Sequence, residues 1–160
     1  MNKKVHFIGI GGIGVSSLAQ YYFSTGWKVS GSDAVKSEIT DELKKKGVRI
    51  YTRQRRASLN RIGLVIYSAA IKPDHPELVE AKKLGIKTQI YSEAVGDLTK
   101  KYFTIAVSGS HGKSTTTALI GLILIEAGLD PTIIVGTKLK ELNDNNFRLG
   151  KSRYLVLEAD

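Results

Sequence analysis

Twice in this chain a β-branched run breaks into glycines and resumes as an apolar helical pattern, and no other sequence feature restricts the fold as tightly. The first instance, VHFIGIGGIGVSSLA, runs from Val5 to Ala19 and places four glycines within six positions. The second, VSGSHGKSTTTALIGLIL, runs from Val107 to Leu124. A strand that turns straight into a helix opens a βαβ unit, and glycine is needed there where the backbone turns tightly or approaches a ligand. The first loop fits GxGxxG, a weak pattern alone because any tight strand-to-helix turn requires glycine. Read physically, it is a backbone that comes close to an anion, such as a pyrophosphate at a helix start.

The rest of the chain continues the alternation. Strands are predicted at Val5–Ile10, Lys28–Ser32, Val48–Tyr51, Leu64–Tyr67 and Lys87–Ile90. Between and after them come helices at Ser16–Phe23, Glu38–Lys46, from Asp74-His75-Pro76 to Gly85, and at Ser92–Leu98. Gly26, Gly47 and Gly85 close the helices, and Pro76 stands in a first turn where no amide donor is lost. Alternation at this spacing predicts parallel βαβ units in a doubly wound sheet. The polar break Thr99-Lys100-Lys101 then introduces a strand at Tyr102–Val107, a long helix at Ser114–Ala127, and strands at Thr132–Val135 and Arg153–Leu157. The fold class is therefore α/β: a Rossmann-like parallel-sheet domain over 1–98, then the start of a P-loop ATP-binding α/β domain over 99–160. A strand ending in Glu158 and Asp160 is ordinarily followed by a covering helix, so the second domain is expected to be cut off.

Composition narrows the function classes. The 160 residues suffice for one ordinary domain or a small domain with part of a second. Without cysteine there are no disulfides and no thiolate metal sites. The start MNKK imitates a signal peptide, but His6 and the glycines interrupt its apolar core and no small-x-small cleavage site follows. No apolar run approaches the ~20 residues needed to span a bilayer, so the expectation is a cytoplasmic protein without a membrane partner. The net charge of +9 and the cluster Arg53, Arg55, Arg56 and Arg61 read as a solvated face. No nucleic-acid motif accompanies them, and a phosphate-rich small substrate explains the sign equally well. His6 and His75 read as a strand-end and a turn residue, since no second histidine stands at ligand spacing. Tyr21, Tyr22, Phe23 and Trp27 are expected to pack one end of the first helix.

The second loop carries the more specific chemistry. Backbone amides from Gly109 to Lys113 can wrap a phosphate at the positive end of the following helix, with Lys113 against the terminal phosphates and Ser114 on a magnesium ion. The usual GxxxxGKS/T spacing asks for glycine where this chain has Val107, so the loop is a variant. The plain alternative is a helix N-cap that happens to contain lysine; the strand–loop–helix context favours ATP.

A short Gly109-Ser110-His111-Gly112-Lys113-Ser114-Thr115 loop after a Rossmann-like domain resembles the Mur ligases, which build the peptide stem of bacterial peptidoglycan. Gly9-Ile10-Gly11-Gly12-Ile13-Gly14, Gly31-Ser32-Asp33 and Tyr67-Ser68-Ala69-Ala70-Ile71 resemble the same family at matching places, so the likeness runs over the whole chain. The resemblance implies that Gly109, Ser110, His111, Gly112, Lys113, Ser114 and Thr115 bind ATP, and that Ser114 and Glu158, in Leu157-Glu158-Ala159-Asp160, bind magnesium. Without it, Glu158 reads as an ordinary charged strand end. It further implies that Gly11, Gly12, Ile13 and Gly14 hold the pyrophosphate of UDP-N-acetylmuramate, with Asp33, Ser68 and Ala70 towards the uridine end. His111 within the loop resembles the member that joins L-alanine to that substrate. ATP would phosphorylate the muramyl carboxylate, and the amine of alanine would attack the acyl phosphate.

Two departures stand out, Val15 where the family usually has methionine and Ser92 where an arginine often stands nearby. The family's central domain continues with a carbamylated lysine and a magnesium-binding histidine and is followed by a third domain, none of which lies in these residues, so the 160 residues are expected to be inactive alone. Two alternatives stay open. One is a family member that attaches recycled murein peptide. The other is a regulatory module that binds NAD, with Asp33 on a ribose, since its spacing from Gly14 suits that role.

Overall fold

A computed structural model describes residues 3–52 and 58–159 of the chain, which divides into two compact units, Met1–Ala94 and Val95–Asp160. Arg53, Arg55 and Arg56 lie outside the described residues.

The first unit contains β1 (Lys4–Ile8), α1 (Ile13–Ser24), β2 (Lys28–Ser32), α2 (Glu38–Lys45), β3 (Arg49–Tyr51), β4 (Leu64–Tyr67), α3 (Pro76–Lys83) and β5 (Lys87–Ile90). Helix α4 (Tyr91–Thr99) carries the chain across the division. The five strands are all parallel, in the order β3-β2-β1-β4-β5. This is the doubly wound, Rossmann-like sheet expected from the alternation. Its strand order reverses between β1 and β4, and ligands of such sheets bind at the carboxyl ends of the strands flanking that reversal.

Alternation along β1 assigns its side chains to two faces. Phe7 meets Tyr22 of α1 edge-on at 5.9 Å, and Tyr22 meets Trp27 at 5.0 Å, so the aromatic residues do pack the end of the first helix. Ile8 belongs to a cluster with Leu59, Val65, and Leu78 and Ala81 of α3. His6 is not a strand-end residue: it lies inside β1, 1% exposed, with Nδ1 2.9 Å from Ser30 Oγ. Strand β1 stops at Ile8, short of the expected Ile10, because the Gly9 and Ile10 amides leave the ladder and both donate to Ser32 O. Helix α2 is fixed at its start by a reciprocal capping box between Ser37 and Thr40.

The second unit contains β6 (Phe103–Val107), α5 (Lys113–Glu126), β7 (Thr132–Leu139), a 3-10 turn (Lys140–Leu142), β8 (Asn145–Arg148) and β9 (Tyr154–Glu158). Its sheet runs β6-β9-β7-β8, with β6, β9 and β7 parallel and β8 antiparallel to β7. Among the described residues, β6 pairs with β9 alone. Helix α5 presses Gly121 against Ile133 of β7: a Cβ on Gly121 would lie 2.7 Å from Ile133 Cδ1. Ile133, Val156 and Leu142 form the buried centre beneath it.

The β7–β8 hairpin is the main departure from the expected elements. Strand β7 extends past Val135 to Leu139, and Asn143 and Asp144, both at positive φ (57° and 55°), turn the chain into β8. Asn and Asp tolerate this left-handed conformation better than other non-glycine residues. Among the described residues, no helix is long and apolar enough to cross a membrane.

Candidate functional site

The first glycine loop leaves β1 at the point where the strand order reverses. Gly9, at φ 80°, passes so close to the segment after β4 that an added Cβ would touch Ser68 Cβ at 3.0 Å, and the Ser68 amide donates to Ile8 O at 3.0 Å. Ser68 and Ala70, joined by a bond from the Ala70 amide to Ser68 Oγ at 3.3 Å, therefore flank the loop. From the other side, Ser32 O accepts the amides of Gly9 (2.8 Å) and Ile10 (3.1 Å). Asp33 Oδ2 accepts the Gly11 amide at 2.8 Å, while Oδ1 accepts that of Val35 at 3.0 Å. Asp33 is thus a brace for the loop, with both oxygens on backbone amides.

Two of these glycines are required by space rather than by φ. A Cβ on Gly11 would meet Asp33 Oδ2 at 2.8 Å, and one on Gly14 would meet Tyr91 Oη at 2.8 Å. Tyr91, at the start of α4, escapes sequence reasoning, which offers only an aromatic residue ahead of a helix as a signal. Helix α1 begins at Gly12 with no side-chain cap, and Gly12 and Ile13 are exposed. An uncapped, solvent-facing helix start beside glycines suits an anion.

The second loop leaves β6 and enters α5. Gly109 (φ 152°) and Gly112 (φ 76°, the N-cap of α5) adopt conformations that favour glycine, and Ser108 to Gly112 face solvent, as does Thr115. Lys113 folds back so that Nζ donates to Gly109 O at 2.8 Å, which holds the ammonium over the loop. Behind it, Ser114 Oγ donates to Glu158 Oε1 at 3.0 Å, and Glu158 Oε2 accepts the Gly136 amide at 2.6 Å. Two residues 44 positions apart are thereby brought together as hard oxygen donors, the type a small divalent cation takes. Gly136 makes the seat possible, because a Cβ there would lie 2.8 Å from both carboxylate oxygens. The sequence gives no hint of that role. No group of three or more His, Cys, Asp and Glu residues arranged for a metal occurs among the described residues.

At the far end of the second unit, Arg148 Nη2 donates to Asp130 Oδ1 at 2.6 Å and the Lys151 amide donates to Oδ2 at 2.9 Å. The Arg148 bond, then the Lys151 amide, holds the Asp130 carboxyl below its ordinary value. This knot ties the turn before β7 to the segment between β8 and β9.

Comparison with known proteins adds what geometry does not. The family described as "Mur ligase family, catalytic domain" matches residues 4–103, a span that takes in the first loop, Asp33 and Ser68 but stops before Gly109. UDP-N-acetylmuramate--L-alanine ligase of Acetivibrio thermocellus is 49% identical over 98% of this chain and 34% of its own length. The chain thus spans about a third of the length of the curated relatives it matches. The crystal structure of UDP-N-acetylmuramate-alanine ligase from Thermotoga maritima superposes with a TM-score of 0.87 at 34% identity, over 97% of this chain and 36% of that one. A UDP-N-acetylmuramate:L-alanyl-gamma-D-glutamyl-meso-diaminopimelate ligase from Neisseria meningitides reaches the same TM-score at 26% identity, over 98% and 52%. With the doubly wound sheet and the switch-point loop inside the matched span, the chain belongs to the Mur ligase family.

Proposed function

We propose that this chain is the nucleotide-binding part of an ADP-forming ligase that joins L-alanine to the carboxylate of UDP-N-acetylmuramate in peptidoglycan precursor synthesis in the cytoplasm. One observation carries the reading: two glycine loops head two separate α/β units in a chain 49% identical, over nearly all its length, to a ligase of that name. The domains read from the sequence, residues 1–98 and 99–160, would bind the uridine nucleotide and ATP respectively.

In the first unit, the amides of Gly11, Gly12, Ile13 and Gly14 and the start of α1 bind the pyrophosphate. Asp33 holds the loop in shape, and Ser68 and Ala70 flank the uridine end. In the NAD alternative Asp33 would accept from a ribose; here each of its oxygens already accepts one amide, from Gly11 and Val35, which supports the bracing role. In the second unit, the Gly109–Thr115 loop, with Ser110 and His111 at its rim, wraps the phosphates of ATP. On binding, Lys113 exchanges its bond to Gly109 O for phosphate oxygens and offsets the charge of the transferred phosphoryl group. Ser114 and Glu158 would hold Mg2+, which supplies further neutralisation of phosphate charge when bound. The muramyl carboxylate attacks the γ-phosphorus and ADP leaves; the alanine amine then attacks the acyl carbon, and phosphate leaves as the amide forms. Fixing each reactant on a braced loop supplies the orientation that such a sequence requires.

Calorimetry on these 160 residues tests the reading. UDP-N-acetylmuramate is expected to bind and NAD is not; tight NAD binding without the uridine ligand would overturn it. The 160 residues alone are expected to show no alanine-dependent ATP turnover. The equal superposition with the Neisseria enzyme keeps one second reading in play, a ligase for recycled murein peptide. Preference for tripeptide over alanine as acceptor in an enzyme carrying this segment would select it.

A further inference from the structure

The face of the first sheet that meets α3 is apolar except for one line of polar side chains. Ile8, Val65, Leu78 and Ala81 pack there, yet His6 (1% exposed) and Glu77 (7% exposed) are buried with them. Placing a carboxylate at such a position costs stability relative to an apolar side chain of similar size, so packing alone gives no reason for it. Glu77 stands in the first turn of α3, just after Pro76, where a negative charge suits the helix dipole. Its Oε2 accepts a hydrogen bond from Ser32 Oγ and lies 3.6 Å from His6 Nε2. The His6 ring is held on its other side by Ser30 Oγ.

Ser32 is the last residue of β2 paired to both β1 and β3. Its carbonyl accepts the Gly9 and Ile10 amides, and the carboxylate of the next residue, Asp33, accepts that of Gly11. Three consecutive loop amides therefore hang from two consecutive residues at a strand end. Helix α1, which the loop enters, has no side-chain cap of its own. The side chain that reaches this strand end from the opposite face is Glu77. We infer that Glu77 is a positioning residue: through Ser32 it sets the shape of the Gly9–Gly14 loop for the pyrophosphate of a nucleotide sugar before that ligand arrives. His6 Nε2 lies 3.6 Å behind that carboxylate. The inference rests on reading this loop as the pyrophosphate site, but its first consequence, the order of the loop amides, does not depend on any ligand.

The test uses the 160-residue chain with Glu77→Leu, Glu77→Gln and Ser32→Ala. Two quantities are read: hydrogen exchange at the Gly9, Ile10 and Gly11 amides, and affinity for UDP-N-acetylmuramate by calorimetry. Glu77→Leu and Ser32→Ala are each expected to speed exchange at those three amides about tenfold and to weaken binding about tenfold, the size of one lost hydrogen bond to a charged group. Exchange at Val65 and Ile66 in β4 stays unchanged. Glu77→Gln, whose amide oxygen still accepts from Ser32, returns both quantities to within about threefold of the parent, and combining Ser32→Ala with Glu77→Leu adds nothing further. Uniformly faster exchange across β1 and β4, failure of glutamine to rescue, or unchanged loop amides would each overturn the inference. If Glu77→Leu does not fold, Ser32→Ala carries the test alone. Loop amides that respond in a parent chain that ignores UDP-N-acetylmuramate would refute the ligand assignment and leave the positioning role standing.

Discussion

The two glycine loops look alike as strings and differ as structures. In the first, Gly11 and Gly14 are demanded by neighbours, since the Asp33 carboxylate and the Tyr91 hydroxyl occupy the space a Cβ would need. In the second, nothing lies within 4 Å of a Cβ on Gly112, and the demand comes from its φ of 76°. The first loop is held by bonds from outside itself, at Ser32, Asp33 and Ser68. The second faces solvent, tied across itself by Lys113. A glycine in such a motif thus reports a crowded backbone, as at Gly11 and Gly14, a left-handed one, as at Gly112, or both, as at Gly9, and the string alone does not say which.

Changes at each loop break or sharpen this contrast. The largest effect is expected from Lys113→Met, which removes the cation held over the second loop: ATP affinity should fall about a hundredfold. Affinity of the first loop for UDP-N-acetylmuramate should be unaffected, and parallel titrations with the two nucleotides check both. Next comes crowding: Gly14→Ala must displace the Tyr91 ring and should cost about 2 kcal/mol in urea unfolding, with Gly14→Asn no better. Gly112→Ala pays only for its backbone conformation, about 1 kcal/mol, and Gly112→Asn should recover much of that because asparagine tolerates positive φ. Equal responses to asparagine at both positions would erase the distinction between the loops. The smallest effect concerns acid. Because the folded Asp130 carboxyl titrates below its ordinary value of about 3.9, its stabilising effect is complete above that pH and is lost as pH falls through the lower folded value. Asp130→Asn should therefore flatten the acid limb of unfolding seen by a probe in the second unit, and leave the first unit's limb as it is.

Much of the fold is legible because its punctuation is local. β2, β4 and β5 have the bounds read from the sequence, each a short run between turn or glycine residues. Strand β8 is not legible: Asn145-Asn146-Phe147-Arg148 offers two polar residues where a strand pattern wants apolar ones, although Asn146 is 4% exposed in the fold. Phosphate-type loops announce themselves through glycine and lysine spacing. What braces them does not, because the partners are distant in sequence: Ser114 finds Glu158 only once β6 and β9 are in register, and Gly136 matters only because β7 carries it past that carboxylate. Glu77 is hidden in the same way, as one acidic residue in a charged-looking helix start until the fold brings its side chain to Ser32 at the end of β2.

The pairing of β6 with β9 also bears on the order of events during synthesis. In the second unit this strand emerges first, yet its sole described neighbour is β9, so Phe103 waits for Tyr154 and Val107 for Glu158. Pairings of such sequence separation form slowly, since the chain between them must be ordered first. On a ribosome the β6 residues that precede the ATP-type loop therefore lack this partner until β9 is made. The loop acquires its Ser114–Glu158 bond only at the close of that interval.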